Sequence, residues 1–135
     1  MKELVLQVSA DRLEEVQEFV RGEMEAAGSS LKAISQVEIA VEEIYINIAH
    51  YAYPSGEGEA VIRCETDTER SKISIQFVDA GTPFDPLAKE DADISLSAEE
   101  RSIGGLGILM IKKLMDEVTY CYEEGKNILT IVKYL

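Results

Sequence analysis

The sequence predicts an α+β fold, a two-layer sandwich with helices on one face of a mixed, mostly antiparallel sheet. Three observations lead there. Apolar residues recur at steps of three and four over two adjacent stretches, 11–27 and 31–53, which is the helical period. They alternate at step two over 60–66, 73–77 and 118–122, which is the strand period. The resulting order, β, α, α, β, β, an irregular span, α, β, β, groups the helices rather than alternating them with strands.

Residues 3–8 read as a short first strand. Ser9 or Asp11 then caps a helix whose buried side is Leu13, Val16, Val20, Met24 and Ala27, and Gly28 ends it. Ser29 or Ser30 starts the central helix, 31–53, with Leu31, Ile34, Val37, Val41, Ile44 and Ile48 as its apolar stripe. The turn Tyr53-Pro54-Ser55-Gly56 closes it. The strands 60–66 and 73–77 flank the polar turn TDTERS and should pair as a hairpin. The span 85–104 is acidic, with Ile94 and Leu96 as isolated anchors, and a run of that kind is either a functional lid or disordered. Gly104-Gly105-Leu106-Gly107 then opens a third helix that offers Leu109, Met110 and Leu114 to the core. A strand with Val118, Tyr120 and Tyr122 follows, then the turn Glu124-Gly125-Lys126-Asn127 and a last strand, 128–135.

The 135 residues, 46% of them hydrophobic, suit one domain over 1–135 with a single core. The chain has no apolar run of about 18 residues, and its start turns charged too soon for a signal peptide, so a cytoplasmic protein without membrane contact is expected. Cys64 and Cys121 lie far apart in alternating apolar stretches, with His50 the one imidazole; this argues against zinc and predicts two buried free thiols. Twenty-six acidic against 13 basic residues give a net charge of -13. That field repels nucleic-acid backbones and favours a basic protein partner. A phosphate-bearing ligand would need a cation, a helix N-terminus and backbone N–H groups close by to overcome it.

The familiar phosphate loop G-x-x-x-x-G-K-[ST] is absent, and Gly105-Leu106-Gly107 lacks the third glycine of a dinucleotide fingerprint. No Ser/His/Asp set stands in a nucleophile-elbow context, and His50 reads as a packing or capping residue. Three short features remain. On the central helix Asn47 lies about 40° round from Glu43 and His50 about 20° the other way. They share a face bordered by Ile39 and Ile46, while Glu38 and Glu42 meet solvent. Asp79-Ala80-Gly81 ends a strand, where a carboxylate accepts hydrogen bonds and a glycine lets a flat ligand approach the backbone. Gly105-Leu106-Gly107 starts a helix, where unpaired N–H groups and the dipole suit a phosphate.

In this order the features resemble those of the bacterial anti-sigma factor serine/threonine kinases, a branch of the GHKL ATPase superfamily that includes gyrase and the histidine kinases. EIAVEEIYINIAHYAY at 38–53 resembles the family's N box, VDAGTPFDP at 78–86 its G1 box, and GGLGILMIKKLMDEVTY at 104–120 its G2 box and following strand. The family's histidine and tyrosine after the N-box asparagine are matched by His50 and Tyr53. The resemblance implies a GHKL sandwich that binds ATP and Mg²⁺ beneath a lid at about 85–104. It makes Glu43 the catalytic acid/base, Asn47 the Mg²⁺ ligand, Asp79 the adenine-reading carboxylate beside Gly81, and Gly105, Leu106 and Gly107 the lid hinge near the phosphates. Arg101 is the best candidate for a positive group at the γ-phosphate, or else a solvated salt-bridge partner of Glu99 or Glu100; Lys89 is a weaker one. Ile103 and Gly104 separate Arg101-Ser102 from the glycines, further than is common in that family. The implied function is that of an anti-sigma factor and serine/threonine kinase, by default a homodimer, that binds a sigma factor and phosphorylates a serine of an anti-sigma antagonist. The competing readings are a nucleotide-gated binding module without phosphotransfer and a detached histidine-kinase ATPase domain.

Overall fold

The computed structural model describes residues 1–54, 56–85, 87 and 105–135, leaving aside the side chains of 105–108. Strands β1 (Lys2–Gln7), β2 (Glu59–Asp67), β3 (Lys72–Asp79), β4 (Glu117–Glu123) and β5 (Lys126–Tyr134) form one sheet in the order β1-β2-β3-β5-β4. Every pairing is antiparallel, where a mixed sheet was expected. The connections explain this. Two helices, α1 (Leu13–Ala26) and α2 (Leu31–Asn47), lie between β1 and β2, so the chain reverses and returns antiparallel. Among the described residues one helix, α3 (Gly105–Leu114), lies between β3 and β4, and β5 separates those two strands in the sheet.

Step-two alternation puts one apolar row after another on the helix-facing side. Leu4, Ile62, Phe77, Leu129 and Tyr120 sit side by side across all five strands, and Cys64, Ile75, Ile131 and Val118 form the next row. Ile62, Ile75, Phe77 and Ile131 are fully buried against Val16, Val20 and Met24 of α1 and Val37, Val41 and Ile44 of α2, forming one continuous core. The helices thus cover one face, as the periodicities require. Among the described residues no helix is long and apolar enough to cross a membrane.

Several expectations change in detail. Neither Ser9 nor Asp11 caps α1 with its side chain; Ala10–Arg12 forms a 3₁₀ turn first, and the buried Tyr45 hydroxyl of α2 holds Ser9, donating to its carbonyl at 2.7 Å and accepting from its N–H at 3.1 Å. Gly28 does end the helix, with φ +79°, and Ser30 Oγ accepts the Ala33 N–H at 3.1 Å to start α2. The central helix is not uniform to Tyr53: it ends as an α-helix at Asn47 and widens into a π-helical turn over Ile48–Ala52. On α3 the buried face holds Ile111, followed just past the helix by Met115, while Leu109 and Leu114 are partly buried and Met110 is exposed. Of the lid expected over 85–104, only Asp85 and Leu87 are described; the rest, with Lys89, Ile94 and Leu96, lies outside the described residues.

The two thiols differ, against the expectation that both are buried. Cys64 faces the core, whereas Cys121 is exposed, because Tyr120 and Tyr122 take the inner side of β4 and alternation turns Cys121 outward. Burial pushes the Cys64 thiol up to about 12, with Glu23 adding to the rise. A raised thiol pKa means little thiolate at pH 8, and the thiolate is the reactive form. Titration of the native protein with a thiol reagent at pH 8 should therefore modify one cysteine promptly, Cys121, and the second only on denaturation. Prompt modification of both would contradict the placement of Cys64.

Candidate functional site

The last helix-facing row of the sheet reads Leu6, Ala60, Asp79, Asn127 and Tyr122. In that row Asp79 and Asn127 stand directly opposite each other on β3 and β5, at 6% and 7% exposure, and they are the buried polar side chains among the described residues. A carboxylate removed from water needs hydrogen-bond donors. Oδ1 of Asp79 has two, the Gly81 N–H and Asn127 Nδ2, each at 2.9 Å. The first is a bond to the backbone two residues on, which turns the chain at the end of β3.

The loop that follows is fastened on both sides. Thr82 N–H donates to the Ala52 carbonyl at 2.8 Å, so the wide turn after α2 holds the loop through a backbone group. Gly81 packs so tightly there that a Cβ would stand 2.2 Å from the Ala52 oxygen. Only glycine permits that approach. From the sheet side, Asn127 Nδ2 donates to the Thr82 carbonyl at 3.0 Å, and Asn127 Oδ1 accepts the Phe84 N–H at 3.1 Å and the Tyr120 hydroxyl. The Tyr53 hydroxyl accepts the Ala80 N–H at 2.8 Å and donates to the Glu59 carbonyl. Burial pushes the Tyr120 phenol above its ordinary value against the pull of the Phe84 N–H, and Asp85 and Asp79 add to the rise. Burial likewise raises Tyr53, opposed by its bond to Ala80 and reinforced by Asp79 and Glu59. Both hydroxyls therefore remain protonated donors at neutral pH.

Between this loop and the end of α2 lies a cavity. Ile44, Ile48, Phe77 and Leu129 give it apolar lining, with Tyr51, Phe84 and Tyr120 as aromatic neighbours. Its polar groups are Asn47, Asp79, Thr82 and Asn127. Among the described residues nothing donates to Oδ2 of Asp79. An apolar slot with one free carboxylate oxygen fits a flat, mostly apolar ring that carries an N–H donor on its edge.

The cavity thus brings Asn47 and Asp79 together, with Gly81 setting the loop beside Asp79. Glu43 is half-buried one helical turn before Asn47 and does not line the cavity itself. Glu42 is exposed, and Glu38 is half-buried because it pairs with Arg21 across α1 and α2. His50 is exposed and meets Tyr51 edge to face, with ring centroids 6.0 Å apart. Gly105, Leu106 and Gly107 form the start of α3, which packs against α2; Arg101 lies outside the described residues. No group of three His, Cys, Asp or Glu side chains among the described residues could hold a metal ion. Sequence reasoning missed Asn127, which it assigned to a turn. The signal was present in the alternation of Asn127, Leu129 and Ile131, which runs one step further back than the turn composition implied.

The family described as "Histidine kinase-like ATPase domain" matches residues 6–133. The chain belongs to this family. Among its relatives, "Serine-protein kinase RsbW" of Listeria monocytogenes serovar 1/2a is 34% identical over 113 residues, covering 81% of this chain and 71% of that protein. The protein of the same name from Staphylococcus aureus strain JH9 is 29% identical over 139 residues, covering 98% of this chain and 86% of that one.

In this histidine kinase-like ATPase the close approach of Gly81 to Ala52 has a direct consequence. Gly81→Ala should push the loop off the wide turn, break the Thr82 to Ala52 bond, speed hydrogen exchange at the Thr82 amide and destabilise the fold by about 1–3 kcal/mol. Gly22→Ala, on α1 with nothing within 4 Å of the added carbon, should stabilise slightly. A Thr82 amide still protected in Gly81→Ala would contradict the packing described here.

Proposed function

We propose that the chain is an ATP- and Mg²⁺-dependent anti-sigma factor and serine/threonine protein kinase that phosphorylates a serine of an anti-sigma factor antagonist. The observation that carries this reading is the cavity lined by both Asp79, with its free oxygen, and Asn47, in a chain of the histidine kinase-like ATPase family. Similarity to proteins named Serine-protein kinase RsbW supports the protein-kinase part.

In this reading the purine enters the apolar slot and its exocyclic amine donates to Asp79 Oδ2, while Gly81 keeps the backbone clear of the ring. The triphosphate then runs toward Asn47. The cavity offers one neutral amide oxygen there, and this fits Mg²⁺, which keeps several waters and takes its remaining ligands from phosphates. When bound, the ion supplies charge neutralisation at the phosphates. Backbone N–H groups at Gly105, Leu106 and Gly107 serve the phosphates from the start of α3, and Arg101 supplies positive charge near the γ-phosphate. Glu43, one turn from Asn47, takes the proton from the attacking serine hydroxyl.

The net charge of -13 favours protein over nucleic-acid partners, so the sigma factor is engaged directly and transcription is blocked without contact to DNA. Phosphorylation of the antagonist then releases or renews that block. The protein works in the cytoplasm as a homodimer in this proposal.

Glu43→Ala tests it. With labelled ATP, Mg²⁺ and the antagonists encoded nearby, the variant should bind nucleotide as the wild type does but lose at least about a hundredfold in serine phosphorylation. If the wild type binds ATP yet leaves every antagonist serine unmodified, the chain is a nucleotide-gated binding module instead.

A further inference from the structure

We infer that Lys133 is a positioning residue for the phosphate end of the nucleotide: by holding the last carbonyl of α3 on β5, it aims the first turn of that helix at the phosphates. This rests on the nucleotide reading above and assigns a residue outside the motifs that led to it.

Lys133 is a charge in an apolar place. It follows Leu129 and Ile131 in phase on β5, so its stem points to the helix side of the sheet, opposite the fully buried Ile73 of β3. Its side chain is 15% exposed. An ammonium drawn that far out of water needs partners. Nζ donates to the Leu114 carbonyl at 2.7 Å and lies 3.9 Å from Oδ2 of Asp116. Leu114 is the last residue of α3, and its carbonyl is one of the four at a helix C-terminus for which the helix itself supplies no donor. A cation there also meets the negative end of the helix dipole. Just beyond, Asp116 joins the same strand: its N–H donates to the Val132 carbonyl at 2.9 Å, and its Oδ2 accepts the Tyr134 N–H at 2.7 Å. Directed bonds at Val132, Lys133 and Tyr134 thus seat the C-terminal end of α3 on β5.

That seat passes to the other end of the helix. Along its length α3 packs against α2 and places Ile111 in the core, with Met115 just past its end. Apolar contacts of this kind are non-directional, so they hold the two layers together without fixing the tilt of the helix. The ten residues of α3 span about 15 Å, and a tilt of about 10° about Leu114 would carry Gly105 by about 2.5 Å. A hydrogen bond from a backbone N–H to a phosphate oxygen does not survive such a shift. The base end of the site is fastened separately, since Asp79 and the loop after it are held through Asn127, Ala52 and Tyr53, all outside α3. A Lys133 that merely stabilised the fold would act on base and phosphates alike.

The test separates the two ends of the ligand. Adenosine carries the base without phosphates, and its binding to the full chain is followed by NMR; ATP is titrated calorimetrically in Mg²⁺. Lys133→Met keeps the length of the stem and removes the charge and the donor, and exchanging a largely buried charge for an apolar side chain of similar volume is often neutral for stability. The variant should bind ATP at least about fivefold more weakly, through loss of a phosphate contact, and adenosine within about twofold of the wild type. Lys133→Arg, which restores a cationic donor, should recover most of the ATP affinity. Asp116→Asn keeps an oxygen for the Tyr134 N–H but removes the negative partner of Lys133; it should weaken ATP alone, and it carries the test if Lys133→Met does not fold. Equal weakening of ATP and adenosine, or unchanged binding of both, would overturn the positioning role while leaving the nucleotide reading standing. A wild type that binds neither would overturn both.

Discussion

The hydrogen bond between Asp79 and Asn127 is the constraint on which the rest of the site depends. Directly opposed on neighbouring strands and largely shut away from water, the two side chains meet most of their hydrogen-bonding needs within the protein, and Asp79 Oδ2 is left open to the cavity. The amide does this by reaching the loop and β4 as well as β3. A polar pair at the edge of an apolar core therefore determines the course of the loop, the direction of the carboxylate and the shape of the cavity together. Networks of this kind tolerate partial loss poorly, because each broken bond exposes a neighbour as well.

The remainder of the fold holds that pair in place. Apolar rows run across the sheet beneath α1 and α2 and give β3 and β5 a rigid register, which sets Asp79 against Asn127. On the other side, the widening of the helix after Asn47 turns the Ala52 carbonyl toward the loop, where it accepts a hydrogen bond from the Thr82 N–H. Departures from α-helical winding often occur at functional sites, and this one supplies the second anchor for the loop. Gly81 is the residue that lets the two surfaces meet. Binding chemistry and loop architecture consequently share the same few atoms.

Much of this was legible in the sequence, for definite reasons. Period-two and period-3.6 patterns located the central strands and the helices found among the described residues, because burial on one face imposes them. Asp79 followed Ile73, Ile75 and Phe77 in phase, so its direction toward the helices was written in the alternation. Three features were not readable. The wide turn escaped notice because Ile48 and Ala52 are four apart, a spacing an α-helix satisfies as well. The phase of α3 was obscured by Ile108-Leu109-Met110-Ile111, four consecutive apolar residues that fit any face. Asn127 was hidden by Gly125, whose turn chemistry masked the start of β5. Cys121 is a different case: the inward phase of Tyr120 and Tyr122 already required it to face outward.

The most direct measurement of the central claim is a crystal structure of the chain with Mg²⁺ and a non-hydrolysable ATP analogue. The account predicts the adenine in the slot between Ile48, Phe77 and Leu129, its exocyclic amine about 3 Å from Asp79 Oδ2, Asn127 Nδ2 still on Oδ1, and the phosphates directed toward Asn47. A base bound elsewhere, or one whose amine meets another acceptor while Asp79 Oδ2 faces only water, would contradict it.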